Sequence, residues 1–106
     1  KQVPFVVYEN AREISGRHIC DKRRSTSEIK KEFPELDFAH IKGEEDTMWT
    51  EEREDYAHLV QRVYDFMIEI GKRPEKVIGI ASHSTWLLTM FNCVLTPQDN
   101  SLKQWF

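Results

Sequence analysis

Three places in this chain bring together residue types that can hold and transfer a phosphoryl group. The first is His83, flanked by Ser82 and Ser84, where the apolar run 77–81 gives way to a helix-like stretch beginning Thr85-Trp86-Leu87-Leu88. In open α/β sheets, ligands gather outside the carboxyl ends of strands, and the N–H groups of a following helix attract anions. An imidazolium at that junction, with those N–H groups beside it, can stabilise a phosphoryl oxygen. The plainer alternative is a histidine that only caps or packs at a strand end. The second place is Glu13, beside Arg12. A carboxyl next to bound phosphate can carry a proton near neutral pH and deliver it to a leaving oxygen. Its plainer alternative is a solvated glutamate paired with Arg12 or Arg17. The third is the basic run Lys22-Arg23-Arg24. Guanidinium groups suit bidentate contact with an anionic substrate, although such a run before a helix is also an ordinary solvated patch.

Other chemistries do not assemble. Ser82-His83-Ser84 lacks the glycines of a nucleophile elbow. His18 and Cys20 are close, but no second pair completes a zinc site. The four glycines are scattered and form no phosphate loop. A net charge of −3 over 106 residues argues against a general nucleic-acid binder. No apolar stretch is long enough to span a membrane, and no signal peptide is visible at the N-terminus. Cys20 and Cys93 lie far apart and read as reduced thiols, so a cytoplasmic location is expected. His40 and His58 sit in polar stretches and are expected to be exposed.

The elements that must position these residues read as α/β. A strand is expected over 3–8, with Pro4 near its start or on an edge. Ser25 and Glu28 stand at capping-box spacing and open a helix that Pro34 ends. The loop 34–50 carries the apolar anchors Leu36, Phe38, Ile41, Met48 and Trp49. A long helix is expected over 51–70, with Thr50 as N-cap and Glu51, Glu52 and Glu54 in its first turns. Tyr56, Leu59, Val60, Val63, Phe66, Met67 and Ile70 form its apolar face. Gly71 is its expected C′ residue, and Pro74 prevents continuation. A second strand over 77–82 and a largely buried helix over 84–95 follow. Two parallel strands and three helices make a poor core alone. The expectation is therefore one partial domain over 1–106. Trp105 and Phe106, which would want burial, fit that expectation.

Together these residues resemble the histidine phosphatases of the phosphoglycerate mutase-like branch, closest to its plant and fungal members. The resemblance rests on the string Arg12-Glu13-Ile14-Ser15-Gly16-Arg17-His18-Ile19-Cys20-Asp21-Lys22-Arg23-Arg24-Ser25. It continues through Phe33-Pro34-Glu35-Leu36-Asp37-Phe38, the acidic pair Glu45-Asp46, Trp49, and the step Ser82-His83-Ser84. It implies a three-layer α/β/α fold, present here as the C-terminal half of the domain without its first strand. It also implies hydrolysis of a small phosphate monoester through a phosphohistidine. Glu13 and His83 match the family's catalytic glutamate and second histidine. Arg12, Arg23, Arg24 and Ser84 are the implied substrate contacts. Neither a metal nor a cofactor is implied; the partner is a small phosphorylated metabolite, and a homo-oligomer is compatible with the resemblance. Phosphoglycerate mutase chemistry, or a non-catalytic anion-binding remnant, are the alternatives. No Arg-His-Gly nucleophile motif occurs in the chain, so the phosphohistidine is expected to form upstream of Lys1. Glycine is common near the family's second histidine, where this chain has Thr85-Trp86, and the bulky residue either narrows the pocket or packs beneath it.

Overall fold

A computed structural model of the chain describes residues 3–104. Its contacts divide it into two compact units. One comprises the described part of Lys1–Glu9 together with Ser15–Arg53; the other comprises Asn10–Ile14 together with the described part of Glu54–Phe106. Trp105 and Phe106 lie outside the described residues.

The first unit contains strand β1 (Phe5–Val6), helix α1 (Thr26–Glu32) and strand β2 (Leu36–Asp37). The two strands are parallel, with Phe5 opposite Leu36 and Val6 opposite Asp37. Val7 extends the ladder by donating its N–H to the Asp37 carbonyl at 2.9 Å. Helix α1 begins where the sequence predicts it. Ser25 is the N-cap, and its hydroxyl accepts the Glu28 N–H. The Glu44 carboxylate adds a second cap by accepting the Ser27 N–H at 2.8 Å. Hydrogen bonds from Ser27 hold the Glu44 carboxyl below its ordinary range. The loop after α1 is built on Asp46. One of its carboxylate oxygens accepts the N–H groups of Met48 and Trp49, and the other accepts that of Arg23. Phe38 is buried, and the remaining apolar anchors of the loop are half-buried.

A tight turn at Ser15-Gly16-Arg17 closes this unit on the segment 50–53. Arg17 donates its N–H to the Thr50 carbonyl at 2.9 Å, and Arg53 Nη1 donates to the Gly16 carbonyl at 2.8 Å. Gly16 has φ +88° and Arg17 has φ +65°, both in the left-handed region.

The second unit contains helix α2 (Tyr56–Gly71), helix α3 (Ser84–Thr89) and a π turn over Met90–Val94 that continues α3. Helix α2 packs against α3 and the π turn. The core is Leu59, Val63 and Phe66 from α2, Trp86 and Met90 from the second helical stretch, and Ile14. Phe66 and Trp86 meet edge to face with ring centroids 5.3 Å apart. Trp86 therefore packs beneath the start of α3 as part of the core, fully buried.

Several expectations need correction. Helix α2 starts at Tyr56 and not at 51. Asp55, not Thr50, is its N-cap and accepts the His58 N–H at 2.8 Å. Glu51, Glu52 and Glu54 precede the helix. Gly71 is its last residue, followed by Lys72 in helical conformation, so it is not a left-handed C′ residue. Tyr56 is exposed and stands off the apolar face.

The expected strand over 77–82 has no ladder partner among the described residues. Val77 is 91% exposed. A strand is defined by a neighbour that takes its N–H and C=O groups, and the described residues supply none for this run. The sheet among the described residues is thus two short strands, and helix outweighs strand in them. Helix α3 begins at Ser84 as predicted, but its regular part ends at Thr89 and its exposed side includes Asn92 and Cys93. Leu95 donates its N–H five residues back to the Met90 carbonyl, and the Asn92 side chain takes the Leu88 carbonyl.

Candidate functional site

The second unit brings Glu13 to the start of helix α3. Helix α3 opens at Ser84 because His83 adopts extended backbone (φ −121°, ψ 166°) and its carbonyl accepts the Leu87 N–H at 2.9 Å. His83 is therefore the N-cap, yet its side chain makes no capping bond and the residue is exposed. Glu13 supplies the cap instead. Its Oε2 accepts the Thr85 N–H at 3.0 Å, and its Oε1 accepts the Trp86 N–H at 2.8 Å. Oε1 also accepts the N–H of Ile14 at 3.0 Å.

This geometry corrects one expectation. The N–H groups of Thr85 and Trp86 were expected to face a phosphoryl oxygen, but the Glu13 carboxylate holds them. A carboxylate is itself an anion and satisfies the unpaired donors of a helix start. It does so across more than seventy residues of sequence, beyond the reach of local capping patterns. The arrangement brings Glu13 to the first turn of the helix that His83 caps. A carboxylate offers about four acceptor positions. Oε1 uses two of them and Oε2 uses one, which leaves Oε2 a position for a proton that can pass to a substrate oxygen.

The backbone leading to Glu13 is held by side chains. Arg62 Nη1 donates to the carbonyls of Asn10 (3.0 Å) and Arg12 (3.1 Å), and Nη2 donates to that of Glu13 (3.3 Å). Ser82 Oγ donates to the Ala11 carbonyl at 2.6 Å. The Trp86 indole N–H donates to the Asn10 carbonyl at 2.7 Å. Arg62 is buried in α2, and its Nε and Nη2 form a bidentate pair at 2.7 and 2.8 Å with the carboxylate of Glu54, which precedes the helix and whose side chain is almost covered. Glu54 also pairs with the ring of His58, which is exposed as expected.

Arg62 belongs to no chemical motif in the sequence, but its position carries a signal. It falls between Leu59 and Val63 on the stripe that continues to Phe66, so the buried face of α2 contains one arginine. A charge at such a position must be paired.

Arg12 is half-buried, and Ser84 is exposed at the first position of α3. Arg23 and Arg24 belong to the other unit. Arg23 is committed to its own loop. Nε faces Glu9, Nη1 donates to Thr26 Oγ1 and to the carbonyls of Arg24 and Glu44, and Nη2 donates to the Glu45 carbonyl. Arg24 makes an exposed pair with Glu32 at 2.7 Å. His40 is exposed and stacks on Tyr8. Among the described residues, no group of three or more His, Cys, Asp or Glu side chains is arranged to hold a metal ion. No helix among them is long and apolar enough to cross a membrane.

Comparison with known proteins finds relatives in Arabidopsis thaliana. A "Phosphoglycerate mutase-like protein" is 41% identical over 85 residues, which is 79% of this chain and 31% of that protein. "Phosphoglycerate mutase-like protein 1" is 38% identical over 102 residues, 95% of this chain and 36% of that protein. "Phosphoglycerate mutase-like protein 2" is 31% identical over 91 residues, 85% of this chain and 26% of that protein. The chain thus spans about a third of the length of the curated relatives it matches. No family model and no solved structure matches it.

Proposed function

Because the chain belongs to the phosphoglycerate mutase-like proteins, we propose that it forms part of a phosphoryl-transfer enzyme of the histidine phosphatase type. The substrate is a small phosphate monoester. A histidine nitrogen outside this chain bonds to phosphorus as the ester P–O bond breaks, and Glu13 gives its proton to the departing alcohol oxygen. Glu13 then takes a proton from water as the water oxygen bonds to phosphorus and the P–N bond breaks. His83 and the Ser84 hydroxyl hold the phosphoryl oxygens throughout, so the catalytic work is electrostatic stabilisation plus proton handling.

The observation that supports this reading is the Glu13 carboxylate bound to the first turn of the helix that His83 caps, with one Oε2 acceptor position left.

In the intact protein that carries this chain, Glu13→Gln and His83→Ala are each expected to lower turnover of phosphate esters by about a hundredfold or more. Steady-state hydrolysis over a panel of phosphate esters measures this. The glutamine keeps one accepting oxygen for α3, turns its amide NH2 toward the other backbone donor, and cannot carry the proton. Near-normal turnover in both variants would remove these residues from the site.

The capping role itself favours a second reading, in which Glu13 serves only the helix and the domain is a non-catalytic anion binder. Acid-labile phosphohistidine on the intact protein after exposure to a phosphate ester would count against it. A mutase differs in returning the phosphoryl group to substrate. Interconversion of phosphoglycerates in a coupled assay, without release of phosphate, would identify that activity.

A further inference from the structure

We propose that the buried Arg62–Glu54 pair is the positioning device for Glu13, an inference that rests on the acid–base role proposed above. The Glu13 carboxylate is tied at its outer end to the N–H groups of Thr85 and Trp86. Its backbone end is tied by Arg62, whose guanidinium reaches the carbonyls of Asn10, Arg12 and Glu13. The guanidinium is oriented in turn by two parallel bonds to Glu54. Arg62 is 4% exposed, and the Glu54 side chain 7%.

Burying this pair requires both charges to leave water, and well-packed apolar residues often serve stability as well or better. Leu59, Val63 and Phe66 show that this face of α2 accepts apolar side chains. What an apolar residue cannot do is donate to three carbonyls of the segment that carries the acid. A lysine cannot do so either. Its ammonium is a compact charge with three donors, whereas the guanidinium is a planar fork with five. Arg62 touches no reacting atom in this scheme. It sets where the Oε2 acceptor position points, and small errors in such placement carry large rate penalties.

The test uses the intact protein and two substrates that differ in their demand for an acid. An alkyl phosphate has a poor leaving group and needs its oxygen protonated; p-nitrophenyl phosphate has a good one and hardly does. Arg62→Lys is expected to lower kcat on the alkyl ester by about thirtyfold, with less than about a threefold change on p-nitrophenyl phosphate and in either KM. Glu54→Asp, which shortens the orienting carboxylate, is expected to show the same split at smaller size. Glu13→Gln, measured in parallel, is expected to show the largest split.

A Glu13→Gln variant without any split overturns the acid role itself, and the positioning role with it. A split in Glu13→Gln but equal loss on both esters in Arg62→Lys and Glu54→Asp, or no loss on either, overturns the positioning role alone. Failure of both Arg62→Lys and Glu54→Asp to unfold cooperatively would assign the pair to the fold and overturn it as well.

Discussion

Gly16→Ala is expected to destabilise the protein by more than about 4 kcal/mol, a range that few single substitutions reach. A Cβ at this position would lie 2.0 Å from the carbonyl oxygen of Glu52 and 3.1 Å from that of Thr50. Both are backbone atoms, so no rotamer change relieves the contact. The left-handed φ of +88° adds roughly 1–2 kcal/mol of its own for any residue with a Cβ. Gly43 is the internal control. Its φ of +77° is similar, but a Cβ there would meet nothing within 4 Å. Gly43→Ala should therefore show the conformational cost alone, about 1–2 kcal/mol. Denaturant midpoints of the two variants, read against the parent protein, separate these contributions. Equal losses in the two variants would show that the segment 50–53 moves aside freely.

Trp86→Ala is expected to cost about 3–5 kcal/mol. The side chain is fully buried, and it meets Phe66 edge to face at 5.3 Å. Its removal leaves a cavity between α2 and α3 that neither helix can fill without shifting. It also removes the indole donor to the Asn10 carbonyl. Trp86→Phe isolates that second contribution. It keeps most of the ring and loses the N–H, at an expected cost of about 1–2 kcal/mol. Thermal or denaturant unfolding of both variants measures the difference. A loss below about 1 kcal/mol for Trp86→Ala would contradict a packed core at this site.

The start of α3 was legible because it is local. Two serines around His83, followed by an apolar run of helical length, describe the change from extended chain to helix within a few residues. Helix α1 was legible for the same reason, through Ser25 and Pro34. The start of α2 was not. Glu51, Glu52 and Glu54 have the charge expected of a first helical turn, but Asp55 has the side chain that caps the helix by accepting the His58 N–H, and the Glu54 carboxylate is drawn to Arg62. Charge near a helix start is a weaker signal than a cap in register.

The run 77–82 shows another limit. Its composition is that of a strand, but pairing belongs to two segments, and one segment cannot declare it. For Glu13 the sequence suggested a chemical role and gave no hint of a structural one. Its partners at 85 and 86 are set by the fold, so no spacing rule reaches them. Arg62 is hidden for a different reason. The periodicity of α2 is carried by its apolar members, and a charged residue on the same stripe adds nothing to that signal.

The stitching of residues 10 to 13 has a consequence for how this region can vary. Each of the four carbonyls in turn meets a donor from Arg62, Trp86 or Ser82. Those donors recognise main-chain oxygens, which every amino acid carries alike. Exchanging the side chains of Asn10 and Ala11 leaves the docking pattern whole. Adding or deleting one residue puts each oxygen opposite the wrong donor and carries the carboxyl at 13 away from the helix it caps. In this stretch, length is held far more strictly than wording.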